Sequence, residues 1–201
     1  MKLLLATHNE HKRREFERLI DGSPSGGWQI DALPESVALP PEDGETFAEN
    51  ALGKARAAAL ATGTVSIADD SGIAAAALDG APGVRSARYA GEHASDAENL
   101  EKLLREAPAK SALEYVCVIA YVDPASGAER VFEGRCTGRL AAQPRGEGGF
   151  GYDPAFLADD GPAAMTMAEL SDQQKDAISH RGRAARALLA WLGGDGEATA
   201  G

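Results

Sequence analysis

The sequence predicts an α/β protein with a central twisted, mixed β-sheet flanked by helices. Short apolar runs alternate along the chain with segments in which apolar residues recur every three or four positions. Two strand-like runs, residues 113–122 and 130–136, are separated only by a turn and predict a hairpin. The 201 residues suit one domain, predicted over residues 1–192, with a small, polar and flexible tail at residues 193–201.

The first part of the chain follows the order strand, helix, strand. Residues 3–6 form an apolar run, and apolar residues then recur at helical spacing up to Ile20. Asn9 precedes that helix and is a residue type that caps helix N-termini. A turn cluster at residues 21–24 ends the helix, and residues 28–33 predict a second strand.

The middle of the chain continues the alternation. Thr46 and Glu49 form the sequence signature of a capping box and predict the start of an alanine-rich helix. Residues 65–68 predict a strand that ends in the turn-like residues 69–72, Asp-Asp-Ser-Gly. Residues 73–78 are apolar again and are predicted to be extended.

The last part contains two more predicted helix starts and one unusual loop. Residues 95–98 and 171–174 both have the capping-box pattern. Residues 145–154 hold four glycines, too many for a regular element, and predict a shaped loop. Residues 180–192 are amphipathic and predict a closing helix.

The acidic balance of the chain restricts what it can bind. The sequence has 20 Lys and Arg against 31 Asp and Glu, a formal net charge of -11, which repels the phosphate backbone of nucleic acids over the general surface. We therefore expect no nucleic-acid partner. A small anionic substrate is still allowed where basic side chains and backbone amides converge.

Nothing in the sequence predicts a membrane protein or a disulfide-bonded protein. No apolar run approaches the roughly 20 residues that cross a bilayer, and polar residues follow the first apolar run at once, unlike the layout of a signal peptide. Cys117 and Cys136 stand in apolar or strand-like stretches without metal-ligand spacing, so both are expected to be buried and reduced. The predicted location is the cytoplasm.

Two polar clusters follow predicted strands and should share one edge of the sheet. The first is Thr7-x-Asn9-x-x-Lys12, where the amides of a helix start and a lysine ammonium suit phosphate oxygens. An ordinary capped surface helix has the same pattern. No P-loop motif occurs in the sequence.

The second cluster is acidic. Glu42, Glu49 and the pair Asp69-Asp70 come from separate predicted elements, and carboxylates gathered in this way are the ligands that Mg²⁺ prefers. Neighbouring strand residues point to opposite faces, so Asp69 and Asp70 should have different roles. The alternative is a plain acidic turn.

The glycine-rich loop could admit a planar ligand. Glycines allow close approach of a backbone, and Phe150 or Tyr152 could stack on a base. Asp153 could accept a hydrogen bond from the base edge or support the loop. Alternatively, the aromatic residues only fill the core.

A set of hydrogen-bond donors lies around the last predicted helix start. Lys175, Ser179, His180 and Arg181 fall within seven residues and suit a group that only accepts hydrogen bonds, such as a purine 6-keto oxygen or a phosphate. A solvated basic helix end is the alternative.

In their order along the chain, six motifs resemble the inosine/xanthosine triphosphate pyrophosphatase family over about residues 1–192. The motifs are Thr7-x-Asn9-x-x-Lys12, Thr46-Phe47-x-Glu49-Asn50-Ala51-x-x-Lys54-Ala55, Ala68-Asp69-Asp70-Ser71-Gly72, Gly80-x-Pro82-Gly83-x-x-Ser86-Ala87-Arg88-Tyr89, Gly149-Phe150-Gly151-Tyr152-Asp153-Pro154 and Ser179-His180-Arg181-Gly182. The resemblance implies two lobes with a nucleotide cleft between them, a homodimer, and Mg²⁺-dependent hydrolysis of ITP, dITP and XTP to the monophosphate and pyrophosphate.

The resemblance also implies roles for particular residues. Asp70 would be catalytic, as the proton acceptor, and would share the metal with Glu42. The substrate-binding positions would be Thr7, Asn9, Lys12, Lys54, Ser71, Phe150, Gly151, Tyr152, Asp153, Lys175, His180 and Arg181. Two alternatives stay open: a related pyrophosphatase for other modified nucleotides, and a nucleotide-binding regulator without catalysis.

Overall fold

The computed structural model of the chain describes residues 2–21 and 27–194. Within them the strands are β1 Lys2–Leu5, β2 Gln29–Ala32, β3 Ser66–Ala75, β4 Ala112–Asp123, β5 Ala128–Leu140 and β6 Phe156–Ala158. The α-helices are α1 Glu10–Asp21, α2 Phe47–Thr62, α3 Asp96–Glu106, α4 Asp172–Ile178 and α5 His180–Leu192. Most of the predicted tail, and most of the turn predicted after α1, lie outside the described residues.

The strands form one sheet in the order β2-β1-β3-β4-β5-β6. β1 is parallel to both β2 and β3, whereas β6 is antiparallel to β5. β4 and β5 are hydrogen-bonded neighbours, and the amide of Gly127 closes the turn between them by donating to the carbonyl of Asp123 at 2.9 Å. The predicted mixed α/β sheet and its hairpin are therefore confirmed.

Side chains that satisfy the first amides of a helix explain where the helices begin. Asn9 Oδ1 accepts from the amides of His11 and Lys12, both at 3.0 Å. The three predicted capping boxes are present, with their caps at Thr46, Ser95 and Ser171. The structure adds a fourth, at Thr166, before a 3-10 turn that was not predicted from the sequence.

Two predictions about residues 65–78 are wrong. The strand was predicted to end at Ala68, but Asp69, Asp70 and Ser71 lie inside β3, which also excludes the alternative of an acidic turn. The strand stops at Ala75, and Ala76–Leu78 is a 3-10 helix where extended chain was predicted. Turn-forming residues stay extended here because β4 pairs with β3, and an adjacent strand satisfies backbone groups that a turn would otherwise bond locally.

The chain divides into two compact units, and each has its own apolar core. Unit 1 comprises Met1–Asp70, Cys117–Gly134 and Gly182–Gly201, and unit 2 comprises Ser71–Val116 and Arg135–Arg181. The core of unit 1 includes Leu3, Leu5, Phe16, Ile20, Ile67, Ile119 and Leu188. The core of unit 2 includes Ile73, Leu103, Leu113, Tyr115, Leu140, Phe156 and Met167. The single domain over residues 1–192 and the nucleotide cleft stay predictions.

Both cysteines are buried free thiols, as predicted. Across residues 2–21 and 27–194, none of the helices combines the length and the apolar character needed to cross a membrane.

We predict that Phe16→Ala lowers the free energy of unfolding by about 3 to 5 kcal/mol, because it removes a fully buried ring from the core of unit 1. Urea denaturation followed by circular dichroism measures the change. Leu60→Ala is the control, because Leu60 is 87% exposed, and it should shift the unfolding free energy by less than about 0.5 kcal/mol. Equal effects of the two substitutions would contradict the described core.

Candidate functional site

The order of the parallel strands brings two of the predicted clusters together in unit 1. β1 lies between β2 and β3, so the chain passes from β1 to β2 on one side and later to β3 on the other side. Open α/β sheets bind ligands where the strand order reverses in this way, beyond the carboxyl ends of the strands. Leu5, the last residue of β1, pairs with Ile67 of β3. Because β3 continues past this point, Asp69 lies beyond the carboxyl end of β1, where the Thr7 turn begins.

Asp69 contacts two lysines through different atoms. Its carboxylate oxygen Oδ2 lies 3.1 Å from Lys12 Nζ, and its side chain is 0% exposed while that of Lys12 is 14% exposed. Its main-chain carbonyl accepts from Lys54 Nζ at 2.6 Å. Asp69 therefore holds both ammonium groups near one point of β3.

Lys54 forms an ion pair with Glu42, which lies in the loop before α2. Burial alone raises the pKa of Glu42, but the Lys54 ammonium outweighs burial and the pKa falls below its ordinary value. Burial likewise lowers the pKa of Lys54, yet Asp69, Glu42 and Asp70 together raise it above the ordinary value. Both partners are thus charged at neutral pH.

Asp70 has different neighbours from Asp69, as expected for adjacent strand residues. Its Oδ2 accepts from Asn50 Nδ2 at 2.8 Å, and Asn50 is itself oriented because its Oδ1 accepts from the Gly44 amide at 2.8 Å. Burial raises the pKa of Asp70 although the two lysines oppose the rise. A buried carboxylate with increased proton affinity suits a proton acceptor.

The charged side chains around β3 in unit 1 are acidic in balance. Three carboxylates (Glu42, Asp69 and Asp70) face two ammonium groups, which leaves a net negative charge. No group of three or more His, Cys, Asp or Glu side chains in the described parts of the chain could hold a metal ion. Mg²⁺ does not need such a group, because it binds through one or two carboxylates and keeps water or phosphate oxygens as its other ligands.

Thr7 and Asn9 shape the start of α1. Thr7 Oγ1 accepts from the Asn9 amide at 3.1 Å, and the Asn9 side chain caps the helix. Both side chains therefore form the turn that brings Lys12 to Asp69.

In unit 2, Asp153 is the centre of the glycine-rich loop. Its Oδ2 accepts from Lys175 Nζ at 2.6 Å and from the Phe150 amide at 2.9 Å. Its Oδ1 accepts from the Tyr115 hydroxyl at 3.2 Å. Gly149 has φ +68, and a Cβ there would lie 2.1 Å from Asp153 Oδ2, so this position requires glycine. Of the two roles left open for Asp153, these contacts favour support of the loop.

The two aromatic residues of the loop differ in their surroundings. Tyr152 is buried in the core of unit 2, and its hydroxyl donates to the Ser86 carbonyl at 2.7 Å. Phe150 is half-buried, with Lys175 Nζ and Arg181 Cζ at 5.2 and 5.6 Å from its ring centroid. The Gly151 amide donates to Asp96 at 2.9 Å. Phe150 is thus the better candidate for stacking on a base.

The first residues of α5 are buried donors. Arg181 Nη2 donates to Ser71 Oγ at 2.8 Å, and Arg181 is one of the most deeply buried side chains of the protein. The imidazole of His180 stacks on the Tyr115 ring, with centroids 4.4 Å apart and planes at 6°.

The predicted site residues therefore fall into one group in each unit. Unit 1 holds Thr7, Asn9, Lys12, Glu42, Lys54 and Asp70. Unit 2 holds Ser71, Phe150, Gly151, Tyr152, Asp153, Lys175, His180 and Arg181. Two residues with contacts in these groups were not predicted from the sequence: Asn50, which lies in a quoted motif, and Tyr115, whose strand carries no motif.

Several known proteins are similar to the chain over nearly its whole length. The model of the Ham1 family matches residues 3–191. The dITP/XTP pyrophosphatase of Mycolicibacterium paratuberculosis is 48% identical and covers 93% of each chain. The dITP/XTP pyrophosphatase of Geobacter sulfurreducens is 45% identical, over 97% of this chain and 98% of its own.

Solved structures agree with the sequence relatives. A HAM1 protein from Coxiella burnetii has a TM-score of 0.83 at 40% identity and covers 96% of this chain and 98% of its own. A nucleoside-triphosphatase / dITP/XTP pyrophosphatase from Mycobacterium abscessus has a TM-score of 0.70 at 43% identity, over 96% of this chain and 100% of its own. The resemblance of the motifs is confirmed, and the chain belongs to the Ham1 family.

Proposed function

We propose that this protein hydrolyses the non-canonical purine nucleotides ITP, dITP and XTP to the monophosphate and pyrophosphate, and so cleanses the nucleotide pool. The observation that carries the proposal is the gathering of Lys12, Lys54 and Asp70 around β3 in unit 1. The relatives that cover nearly the whole chain are named dITP/XTP pyrophosphatases, which supports this choice of substrate.

Asp70 is the proton acceptor in the reaction that we propose. A water oxygen attacks the α-phosphorus, the bond from that phosphorus to the bridging oxygen breaks, and pyrophosphate leaves. The water proton passes to the Asp70 carboxylate. No covalent intermediate with the protein is needed.

Lys12 and Lys54 offset the charge of the departing pyrophosphate. Both ammonium groups are already held by oxygen atoms of Asp69, so their positions are set before the reaction. Charges arranged in advance need no reorganisation when negative charge develops in the transition state.

Glu42 and Asp70 are the residues that we expect to hold Mg²⁺. When bound, the ion would neutralise part of the triphosphate charge. The loop that carries Glu42 is fixed to α2 through the Lys54 ion pair and through the bond from the Gly44 amide to Asn50.

Selection of the base rests on the donors of unit 2. Hypoxanthine and xanthine have a 6-keto acceptor where adenine has an amino donor, and a donor that faces a donor leaves both without a hydrogen bond. Lys175, His180 and Arg181 supply hydrogen-bond donors around the ring of Phe150 and the start of α5. Within this set we assign the 6-keto oxygen to the imidazole of His180, with Phe150 beneath the base. A homodimer is a further expectation, on the resemblance alone, and the cytoplasm remains the location that we expect from the sequence.

We predict that pyrophosphate is released from ITP, dITP and XTP with kcat/KM at least about 100-fold above that for ATP, because the donor set rejects the adenine amino group. A panel that adds modified pyrimidine triphosphates measures this with a pyrophosphate-coupled assay. Equal values for ITP and ATP would refute the proposal. Preference for a modified pyrimidine would favour the related pyrophosphatase, and binding of ITP without pyrophosphate release would favour the regulator.

We predict that Asp70→Asn lowers kcat for ITP by at least about 100-fold, because the amide cannot accept the water proton. The rate should be measured at saturating Mg²⁺ and ITP, with circular dichroism to check the fold. Asp31→Asn, which changes an exposed carboxylate paired with Lys2, should keep the wild-type kcat. An Asp70→Asn enzyme that retains more than a few per cent of kcat would exclude the assigned role.

We predict that a chelator abolishes pyrophosphate release and that added MgCl₂ restores it. Glu42→Gln should raise the Mg²⁺ concentration needed for the half-maximal rate by about tenfold or more, equivalent to about 1.4 kcal/mol of binding free energy. Asp43→Asn is the matched control, because Asp43 is an exposed carboxylate in the same loop. If both variants needed the same Mg²⁺ concentration as the wild type, Glu42 would not be a metal ligand.

A further inference from the structure

We propose that Tyr115 is a positioning residue for base selection, because it holds the imidazole of His180 in the plane in which its N–H group meets the 6-keto oxygen. The inference rests on the proposed function and concerns a residue that carries no motif. Tyr115, His180 and the glycine-rich loop all belong to unit 2.

The stack between the two rings is close and nearly parallel. The ring centroids of Tyr115 and His180 are 4.4 Å apart, with an angle of 6° between the planes. Both residues are buried. Rotation of the imidazole about its Cβ–Cγ bond would therefore drive its edge into the tyrosine ring, and the stack restrains this torsion.

The tyrosine ring is itself fixed from the other side. Phe156 packs against Tyr115 with a centroid distance of 4.5 Å and an interplanar angle of 36°. Both aromatic residues belong to the apolar core of unit 2. Tyr115 therefore connects His180, the first residue of α5, to the apolar core of unit 2.

The hydroxyl of Tyr115 connects the same ring to the glycine-rich loop. It donates to Asp153 Oδ1 at 3.2 Å, and the other oxygen of Asp153 accepts from the Phe150 amide and from Lys175. Tyr115 therefore contacts both His180, the proposed donor to the 6-keto oxygen, and Asp153, the carboxylate that supports the loop of Phe150. The stack is the main contact, and the hydroxyl adds a second point of attachment.

A role in orientation differs from a role in stability. A hydrogen bond weakens steeply when the donor points away from the acceptor. Rotation of the imidazole would therefore weaken its hydrogen bond to the 6-keto oxygen of ITP. ATP has no acceptor at that position and would lose nothing from the rotation. Loss of stability alone would lower the rates for both nucleotides equally and would leave their ratio unchanged.

The test compares Tyr115→Leu and Tyr115→Phe with the wild-type enzyme by measuring kcat/KM for ITP and for ATP. Tyr115→Leu removes the stack and should lower kcat/KM for ITP by about threefold to tenfold, the range that an aromatic pair is worth. The value for ATP should stay within about twofold, so that the ratio falls by nearly the same factor. Tyr115→Phe keeps the ring and should keep the ratio within about twofold of wild type.

Tyr121→Leu is the matched control. Tyr121 is a buried tyrosine on the same strand, and its ring packs edge-on against Trp191 at 4.9 Å in unit 1. Its loss should lower the melting temperature but leave the ITP to ATP ratio unchanged. Tyr115→Met, which fills more of the ring volume, replaces Tyr115→Leu if that variant does not fold.

An unchanged ratio in the Tyr115→Leu or Tyr115→Met enzyme would overturn the inference, as would an equal fall of the ratio in Tyr121→Leu. A Tyr115→Phe enzyme that loses as much selectivity as Tyr115→Leu would show that the stack is not the cause. These outcomes require a wild-type enzyme that prefers ITP. A wild-type enzyme without that preference would instead reject the proposed function.

Discussion

The candidate site of unit 1 depends on one strand being longer than its neighbour. β1 ends at Leu5, whereas β3 continues to Ala75, so the polar residues of β3 lie beyond the end of a buried parallel strand. At that point Asp69 can offer its carboxylate to one lysine and its main-chain carbonyl to another. If the Asp-Asp-Ser-Gly residues formed a turn, neither oxygen of Asp69 would be held in a fixed position relative to the lysines.

The charged groups around β3 depend on one another. Lys12 and Lys54 both contact oxygen atoms of Asp69. Burial disfavours the charged form of Lys54, and Asp69, Glu42 and Asp70 compensate for this cost. The same lysines oppose the rise in the pKa that burial imposes on Asp70. Removal of Lys54 would therefore raise the pKa of both Glu42 and Asp70, and the effects of substitutions within this group should not be additive.

Features set by local chemistry were predictable from the sequence, and features set by tertiary contacts were not. The capping boxes at Thr46 and Ser95 follow from side chains three residues apart, and the structure contains both. The sequence predicted that the strand ends before Asp70 and left a turn open there, whereas strand pairing overrides turn propensity and β3 continues to Ala75. Asn50 and Tyr115 escaped notice because their partners are 20 and 38 residues away. The order of the motifs predicted the family, whereas contacts inside the site required coordinates.

The buried pair of Lys175 and Asp153 constrains how this protein can change over time. Their side chains are only 5% and 3% exposed. Loss of one partner would leave the other charge buried and unpaired, at a cost of about 3 to 5 kcal/mol. This is a large share of the free energy of unfolding of a typical domain. Single replacements at either position should therefore be purged by selection before they can alter substrate choice. Changes in base preference should therefore be tolerated better at neighbouring positions such as Phe150, which is only half-buried.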